Sequence, residues 1–439
     1  NKTISRIVSD GTEFVGTFEI LEKFTDFFNN LLGREVTTTV FEPATLFSDE
    51  SELLNPLAER FSEFEIKKAV MGLANNKASG PDGLPNEFCK FNWDLVKQDL
   101  LALFNSLHNG TLDLTAANRA NIVLLRKEDE AERLSDFRPI SILCYLPKLI
   151  SKVLNNRLAI YLPSIISSTQ TGFIRGRLIS ENFIAAREII THVSKGSDPA
   201  FLLKLDFKKA FDSVSWPFLL KILERRGFPD RFIFWIKLLL ESASSSILLN
   251  GEEGPTFRHK RGLRQGDPLS PSLFIIAADV LSRMVQAAST SIQAGISRRL
   301  PDPYYMLQYA DDTLVFSTTK NQAVRTLICV LHAFSNVSGI QLNLNKTALV
   351  PFNLHSQQCY LLQSLLGCPT TTLPIKYLGL PLTDRRPDRA CFQSLIDKVA
   401  SKLAGWKCRL LSRAGRIVLA SSVLSSIPIY FMSVFSLPA

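Results

Sequence analysis

Histidine is scarce in this sequence: the five residues are dispersed. None stands near a serine or cysteine in a spacing that would join a nucleophile to a base, so hydrolase triads find no support. The seven cysteines are odd in number and form no C-x₂-C pair or Cys/His cluster, which gives neither a zinc site nor a disulfide framework and points to a reducing compartment. The glycines never fall in the G-x-x-x-x-G-K-[ST] order of a Walker loop. Repeats and low-complexity tracts are missing. No secretory signal opens the chain, because Asn1-Lys2-Thr3-Ile4 lacks a continuous apolar core after its charge, so an intracellular protein of the nucleus or cytoplasm, not a secreted one, is expected. The absence of an initiating methionine leads to the expectation of a fragment. One uncharged run, residues 417–438, is long enough to span a bilayer, yet it holds six serines and an internal Pro428, and no membrane partner is expected. Acidic residues are in deficit, 41 against 50 basic ones for a net charge of +9. That surplus favours polyanionic partners without establishing one.

What is present supports a sizeable core. With 46% hydrophobic and 21% charged residues in 439, the chain is globular and is expected to divide into two or three subdomains.

Asp311 and Asp312 follow Tyr309 and Ala310, between the apolar stretches Tyr305-Met306-Leu307-Gln308 and Thr313-Leu314-Val315-Phe316-Ser317. The pattern predicts a hairpin with Ala310 and Asp311 at its turn and both carboxylates thrust outward. Turn aspartates also occur simply because they bond their own backbone, so the pair alone leaves two readings open. Like charges about 4 Å apart cost roughly 4 kcal/mol at an effective dielectric near 20, and oxygen ligands suit Mg²⁺, which makes a divalent ion the natural third party. Upstream, the apolar run Phe201-Leu202-Leu203-Lys204-Leu205 ends in a further carboxylate, Asp206, ahead of a helix started by Ser215 and Pro217 and stopped by Gly227. Between the two comes Lys260-Arg261-Gly262-Leu263-Arg264-Gln265-Gly266-Asp267-Pro268-Leu269-Ser270-Pro271. Ser270 and Pro271 suit the cap and first residue of a helix over 272–285, while Gly262 and Gly266 let backbone lie close to a ligand. By itself this is a cationic loop entering a helix. In this order between the carboxylates it points to nucleotide polymerisation.

The Asp206 and Asp311-Asp312 segments resemble the catalytic motifs of template-directed polymerases. Over nearly its whole length the chain resembles the reverse transcriptases of non-LTR (LINE-type) retrotransposons, most like those of plant elements. Lys77-Ala78-Ser79-Gly80-Pro81-Asp82-Gly83-Leu84-Pro85 is similar to the fingers loop of that family, and Ser135-Asp136-Phe137-Arg138-Pro139-Ile140-Ser141 to its triphosphate-contacting motif. Gln170-Thr171-Gly172-Phe173-Ile174-Arg175-Gly176-Arg177 resembles the block along the template, residues 338–347 the palm segment carrying Lys346, and Lys376-Tyr377-Leu378-Gly379-Leu380-Pro381-Leu382 the primer grip. Trp406, the run Leu411-Ser412-Arg413-Ala414-Gly415-Arg416 and the stretch from there to Pro438 are similar to the thumb.

The resemblance implies an α+β right-hand polymerase with helix-rich fingers and thumb around a small antiparallel palm sheet. It places a connector at 1–55, fingers at 56–200, palm at 201–383 and thumb at 384–439, with an upstream endonuclease and any C-terminal RNase H or zinc-knuckle region outside the sequence. It puts two Mg²⁺ ions, or Mn²⁺ in their place, on Asp206, Asp311 and Asp312 with Phe207 beside them, and makes Lys346 a proton donor to the pyrophosphate. Lys127, Arg138, Phe211, Gln265 and Gly266 would take the dNTP. The family has a proline before that lysine where this chain reads Leu124-Leu125-Arg126-Lys127, a change that keeps positive charge toward the nucleotide. Lys77, Gly80, Arg175, Arg264, Tyr309, Tyr377, Leu378, Gly379, Arg413 and Arg416 would meet RNA template and DNA primer.

Phe211 lies five residues past Asp206, where the resemblance sets it under the incoming sugar. A rigid ring there collides with a 2′-hydroxyl and favours deoxynucleotides; the alternative is a core phenylalanine. From Asp384 to Arg416, nine basic residues face three acidic ones, with Phe392, Leu395, Ile396, Val399, Leu403 and Trp406 at helical spacing. A helix with its cations on the other face is expected to follow duplex phosphates. The leading function is RNA-templated DNA synthesis from a 3′-hydroxyl primer. An RNA-dependent RNA polymerase and a degenerate, inactive element copy that binds nucleic acid are the other two readings.

Overall fold

The structure, a computed structural model, describes residues 3–9, 11–36, 46–47, 50–128, 130–289, 305–403 and 410–435. Trp406 and Pro438 of the expected thumb, with Lys407 and Arg409, lie outside the described residues.

Along the chain the strands are β1 (Ile7–Ser9), β2 (Thr12–Phe14), β3 (Arg119–Arg126), β4 (Phe137–Leu143), β5 (Ala200–Leu205), β6 (Ser244–Leu249), β7 (Glu252–Glu253), β8 (Phe257–Arg258), β9 (Met306–Tyr309), β10 (Asp312–Thr318), β11 (Ala348–Phe352), β12 (Ile375–Tyr377) and β13 (Leu380–Leu382). Four of them form an antiparallel sheet in the order β11-β5-β10-β9. A second sheet runs β4-β3-β6-β7 with β8 also on β6, and β3 and β6 are parallel. Helices dominate the rest, so the molecule is α+β.

Period-two alternation decides which way each strand of the four-stranded sheet faces. Phe201, Leu203 and Leu205 of β5, Val315 of β10, Met306 of β9 and Leu349 of β11 enter one core, with Phe274 and Ile275 from helix Ser270–Ala287. Their neighbours Leu202, Leu314, Phe316, Leu307 and Val350 enter another, with Phe183 and Ile190 from helix Ile179–Lys195. Both faces are covered. A one-residue slip would exchange the two sets and turn the carboxylate end of the sheet away, so packing fixes the register on which the site depends.

Helix Trp216–Arg225 starts where its signals lie, with Ser215 Oγ accepting from the Phe218 N–H at 3.4 Å. The helix expected over 272–285 differs in its start. It spans Ser270–Ala287, with Leu269 in the cap position and Ser270 already inside. The start is held by Asp267, whose Oδ1 accepts from the Leu269 N–H at 2.8 Å.

Part of the segment expected as a connector packs on the second sheet. Helix Thr17–Leu32 lays Ile20, Leu21, Phe24 and Phe28 onto Ile122 and Leu124 of β3 and Ile247 and Leu249 of β6. The stretch 201–383 supplies strands to both sheets, since β6, β7 and β8 join β3 and β4. In helix Gln393–Leu403 the apolar stripe is only partly covered. Leu395 is buried beside Phe392, whereas Ile396 and Leu403 are exposed, because the neighbours that reach this side, Phe431 and Phe435, pack on Phe392. Arg413–Met432 is long and apolar enough to cross a membrane by length and composition, and little of it is buried.

Candidate active site

The β9–β10 register pairs Asp312 with Tyr309 and leaves Ala310 and Asp311 as a two-residue turn. Ala310 adopts φ +54°, a left-handed conformation that costs a non-glycine residue energy unless its surroundings hold it. Gln170, fully buried, does so: its Oε1 accepts from the Ala310 N–H and from the Gly172 N–H, both at 2.9 Å. A Cβ on Gly172 would stand 2.6 Å from the Ala310 nitrogen, so only glycine lets the two segments approach. The block 170–177, expected along the template, thus begins as the wall behind the aspartate turn. Its Arg175 is exposed and does not reach the cleft that Asp206 and Asp311 share.

Asp206 ends β5. Leu205 pairs with Thr313, and the next step of that register sets Asp206 opposite Asp312. The Asp206 Oδ2 accepts from Asn343 Nδ2 at 2.9 Å, the Asn343 N–H donates to the Asp206 carbonyl at 2.7 Å, and the Asp206 N–H donates to Thr347 Oγ1 at 3.2 Å. Residues 338–347 therefore hold the aspartate from the β11 side and carry Lys346 to its neighbourhood.

A cleft of about 1050 Å³ gathers Asp206, Phe207 and Asp311 with Lys127, Arg138, Phe211, Gln265, Gly266 and Lys346. Acidic and basic side chains both line it. Burial, then Asp206, raises the carboxyl of Asp311, with Arg138 opposing. Burial, then Asp311, raises that of Asp312, with Lys204 opposing. Desolvation, Lys346 and Arg138 hold Lys127 below the usual lysine range, and its Nζ donates to the Ser135 carbonyl at 2.7 Å. A polyanion entering the cleft relieves the crowding among these cations, and a divalent cation relieves that among the carboxylates.

Phe211 is both cleft wall and core: its ring stacks on Phe274 at 4.1 Å and 14°. Gly266 has φ +112°, and a Cβ there would lie 2.5 Å from the Ser141 carbonyl oxygen, so the loop presses against β4. Asp212, unmarked in the sequence, is buried at the cleft with its carboxyl pushed up to about 6 by burial, against the pull of Lys209.

Several residues expected to touch nucleic acid also make contacts within the fold. Arg264 lines the cleft but is largely buried; its Nη1 donates to Asn118 Oδ1 at 2.7 Å and its Nη2 pairs with Asp267 at 3.4 Å. Gly80 is also buried, and a Cβ there would meet the Leu143 carbonyl oxygen at 2.3 Å; its place is against the end of β4. Tyr377 is fully buried and donates to Asn182 Oδ1 at 3.2 Å. Leu378 and Gly379, with φ +48° and +82°, form the tight turn between β12 and β13. That hairpin hangs on the catalytic strand through Lys204, whose Nζ donates to the Lys376 carbonyl at 2.7 Å. Tyr309 is half-buried beside the aspartate turn, while Lys77, Arg413 and Arg416 are exposed and none of them lines the cleft.

Among the described residues no three carboxylate, imidazole or thiolate groups stand together as a complete metal-binding set. Mg²⁺ does not require one. It binds through one or two carboxylates and takes its other oxygens from water and substrate phosphates. Asp206 and Asp311, with mutually unfavourable charge in one cleft, fit that mode.

The family model described as reverse transcriptase (RNA-dependent DNA polymerase) matches residues 125–382. The chain is 27% identical over 368 residues to the transposon TX1 uncharacterized 149 kDa protein of Xenopus laevis, covering 82% of this chain and 28% of that protein. It is 28% identical over 334 residues to the retrovirus-related Pol polyprotein from type-2 retrotransposable element R2DM of Drosophila melanogaster, covering 73% and 30%. The RNA-directed DNA polymerase from mobile element jockey of the same fly is 25% identical over 354 residues, covering 77% and 37%. The chain thus spans about three tenths of the length of the curated relatives it matches. Among solved structures, a telomerase of Candida tropicalis in complex with a TWJ fragment of telomeric RNA is similar at a TM-score of 0.43 and 12% identity, over 72% of this chain and 53% of that one. With the match extending from the end of β3 through β13, the chain belongs to the reverse transcriptase (RNA-dependent DNA polymerase) family.

Proposed function

We propose that this chain is an RNA-directed DNA polymerase that extends a 3′-hydroxyl primer with dNTPs on an RNA template, acting in the retrotransposition of a non-LTR element. The observation that carries the reading is the meeting of Asp206 and Asp311, from distant parts of the sequence, in one cleft with Lys127, Arg138 and Lys346.

In this reading Lys127 and Arg138 bind the triphosphate, and Phe211 blocks a 2′-hydroxyl. Lys346 gives a proton to the departing pyrophosphate. Asp206 and Asp311, completed by Asp312 and by Phe207 next to Asp206, hold two Mg²⁺ ions. When bound, these ions activate the primer hydroxyl and neutralise charge on the triphosphate and leaving group. Asn343 keeps the Asp206 carboxylate aimed, and Gln170 keeps the turn of Asp311 closed.

RNA template, DNA primer and dNTPs are the proposed partners, in the nucleus or cytoplasm, with exposed Lys77, Arg175, Arg413 and Arg416 on the phosphates. The finer affiliation with plant elements rests on the sequence motifs alone; the relatives named above come from animals.

Primer extension on an RNA template, with dNTPs or rNTPs and with wild type beside Asp311→Ala, tests the proposal. dNTP extension that disappears in the variant supports it. Preferential rNTP extension would identify an RNA polymerase instead, no extension a degenerate copy, and activity surviving in the variant would refute the carboxylate assignment.

A further inference from the structure

Gln265 is pinned at both ends. Its carbonyl accepts from the Ser141 N–H at 2.7 Å, which ties the backbone to β4, and its side-chain Nε2 donates to Asp212 Oδ1 at 3.1 Å. An ionised carboxylate only accepts hydrogen bonds, so the amide must turn its NH₂ to Asp212. The amide oxygen is then left for the cleft, which both residues line. Asp212 is itself locked. The Leu263 N–H donates to the Phe211 carbonyl and the Gly262 N–H to the Val214 carbonyl, both at 2.8 Å, and a Cβ on Gly262 would lie 2.5 Å from the Asp212 carbonyl oxygen.

The lock continues outward to helix Thr17–Leu32. Lys209, at φ +46°, places its ammonium 4.0 Å from the centroid of the Phe27 ring and 5.2 Å from that of Phe28, and its charge also acts on Asp212. At the end of the same helix the Leu32 carbonyl accepts from the N–H of Lys260 at 2.7 Å and of Arg261 at 3.3 Å. The helix therefore grips the segment before Asp212 and the segment before Gln265 without lining the cleft.

We propose that Asp212 is a positioning residue that sets the Gln265 amide for the incoming nucleotide, and that the Phe27 and Phe28 rings of helix Thr17–Leu32 hold this arrangement through Lys209. The inference rests on the nucleotide site proposed above and adds an element the reaction chemistry does not require. Asp212→Asn, which can either donate or accept, releases the amide from its single orientation. Phe27→Leu removes the ring under Lys209 from outside the cleft.

The test is steady-state single-nucleotide incorporation of dTTP on an RNA template, with binding of fluorescent dTTP and thermal unfolding in parallel. Asp212→Asn should raise KM for dTTP about tenfold, the worth of one charge-assisted hydrogen bond, with kcat within about twofold. Phe27→Leu should raise KM a few-fold in the same direction. A merely structural role would lower the active fraction and leave KM in place, and that result overturns the relay alone. Wild-type protein that neither extends a primer nor binds dTTP overturns the polymerase reading and the relay with it.

Discussion

Asn343 holds Asp206 by both its backbone and its side chain: the Asn343 N–H donates to the Asp206 carbonyl at 2.7 Å and its Nδ2 to Asp206 Oδ2 at 2.9 Å. The backbone bond survives substitution while the side-chain bond does not. Asn343→Ala is therefore expected to lower primer extension about 10- to 100-fold, the usual consequence of removing a partner that orients a metal-binding carboxylate. Circular dichroism should report an unchanged fold. Full activity in this variant would show that Asp206 needs no such support.

Asp311 sits where burial and Asp206 both oppose its charge. Its carboxyl is raised in the folded state, so near neutral pH the ionised form weakens the fold. Asp311→Asn should accordingly raise Tm, while abolishing extension. Differential scanning calorimetry and primer extension on the same preparation would show the two effects in opposite directions.

Phe211 stacks on Phe274 and lines the cleft. Phe211→Ala should admit ribonucleotides, read as a fall in the dNTP to rNTP incorporation ratio. It should also cost about 2–3 kcal/mol of stability through the lost stack, measured by urea unfolding. Unchanged discrimination would remove Phe211 from the sugar site and leave it a core residue.

His259 is buried against Ser245, with Nε2 and Oγ 2.8 Å apart, and stacks on Phe257; burial, then Arg264, lowers its pKa to about 3. Between that value and the ordinary 6.5 the unfolded chain binds the extra proton, so stability rises with pH across this window. The contribution is complete above about pH 6.5 and is lost as pH falls toward 3, on the order of 4 kcal/mol in all. Unfolding free energies at pH 4 and pH 7 should differ less in His259→Gln than in wild type.

Local pattern was enough for the strand ending in Asp206, the aspartate hairpin and the helix capped by Ser215, because alternation and turn or cap chemistry act over a few residues. It was silent wherever identity did not reveal partner. Arg264 reads as a free cation until Asn118 and Asp267 are seen beside it. Tyr377 and Gly80 likewise read as contact residues until burial shows one anchored to Asn182 and the other pressed on Leu143. Gln170 and Asn343 carried no signal as holders of the site, since each acts on a residue more than a hundred positions away.

By itself the sequence determined the strand that leads to Asp206, the aspartate turn and the order of the motifs, because those properties belong to side chains and to short backbone periods. Only the tertiary structure decided which of the many cations face the cleft, which glycines serve close packing, and what keeps the two aspartate segments in register. Those outcomes depend on hydrogen bonds and sheet pairings between remote segments, whose partners are selected by the packing of both faces of the four-stranded sheet rather than by any neighbouring residue.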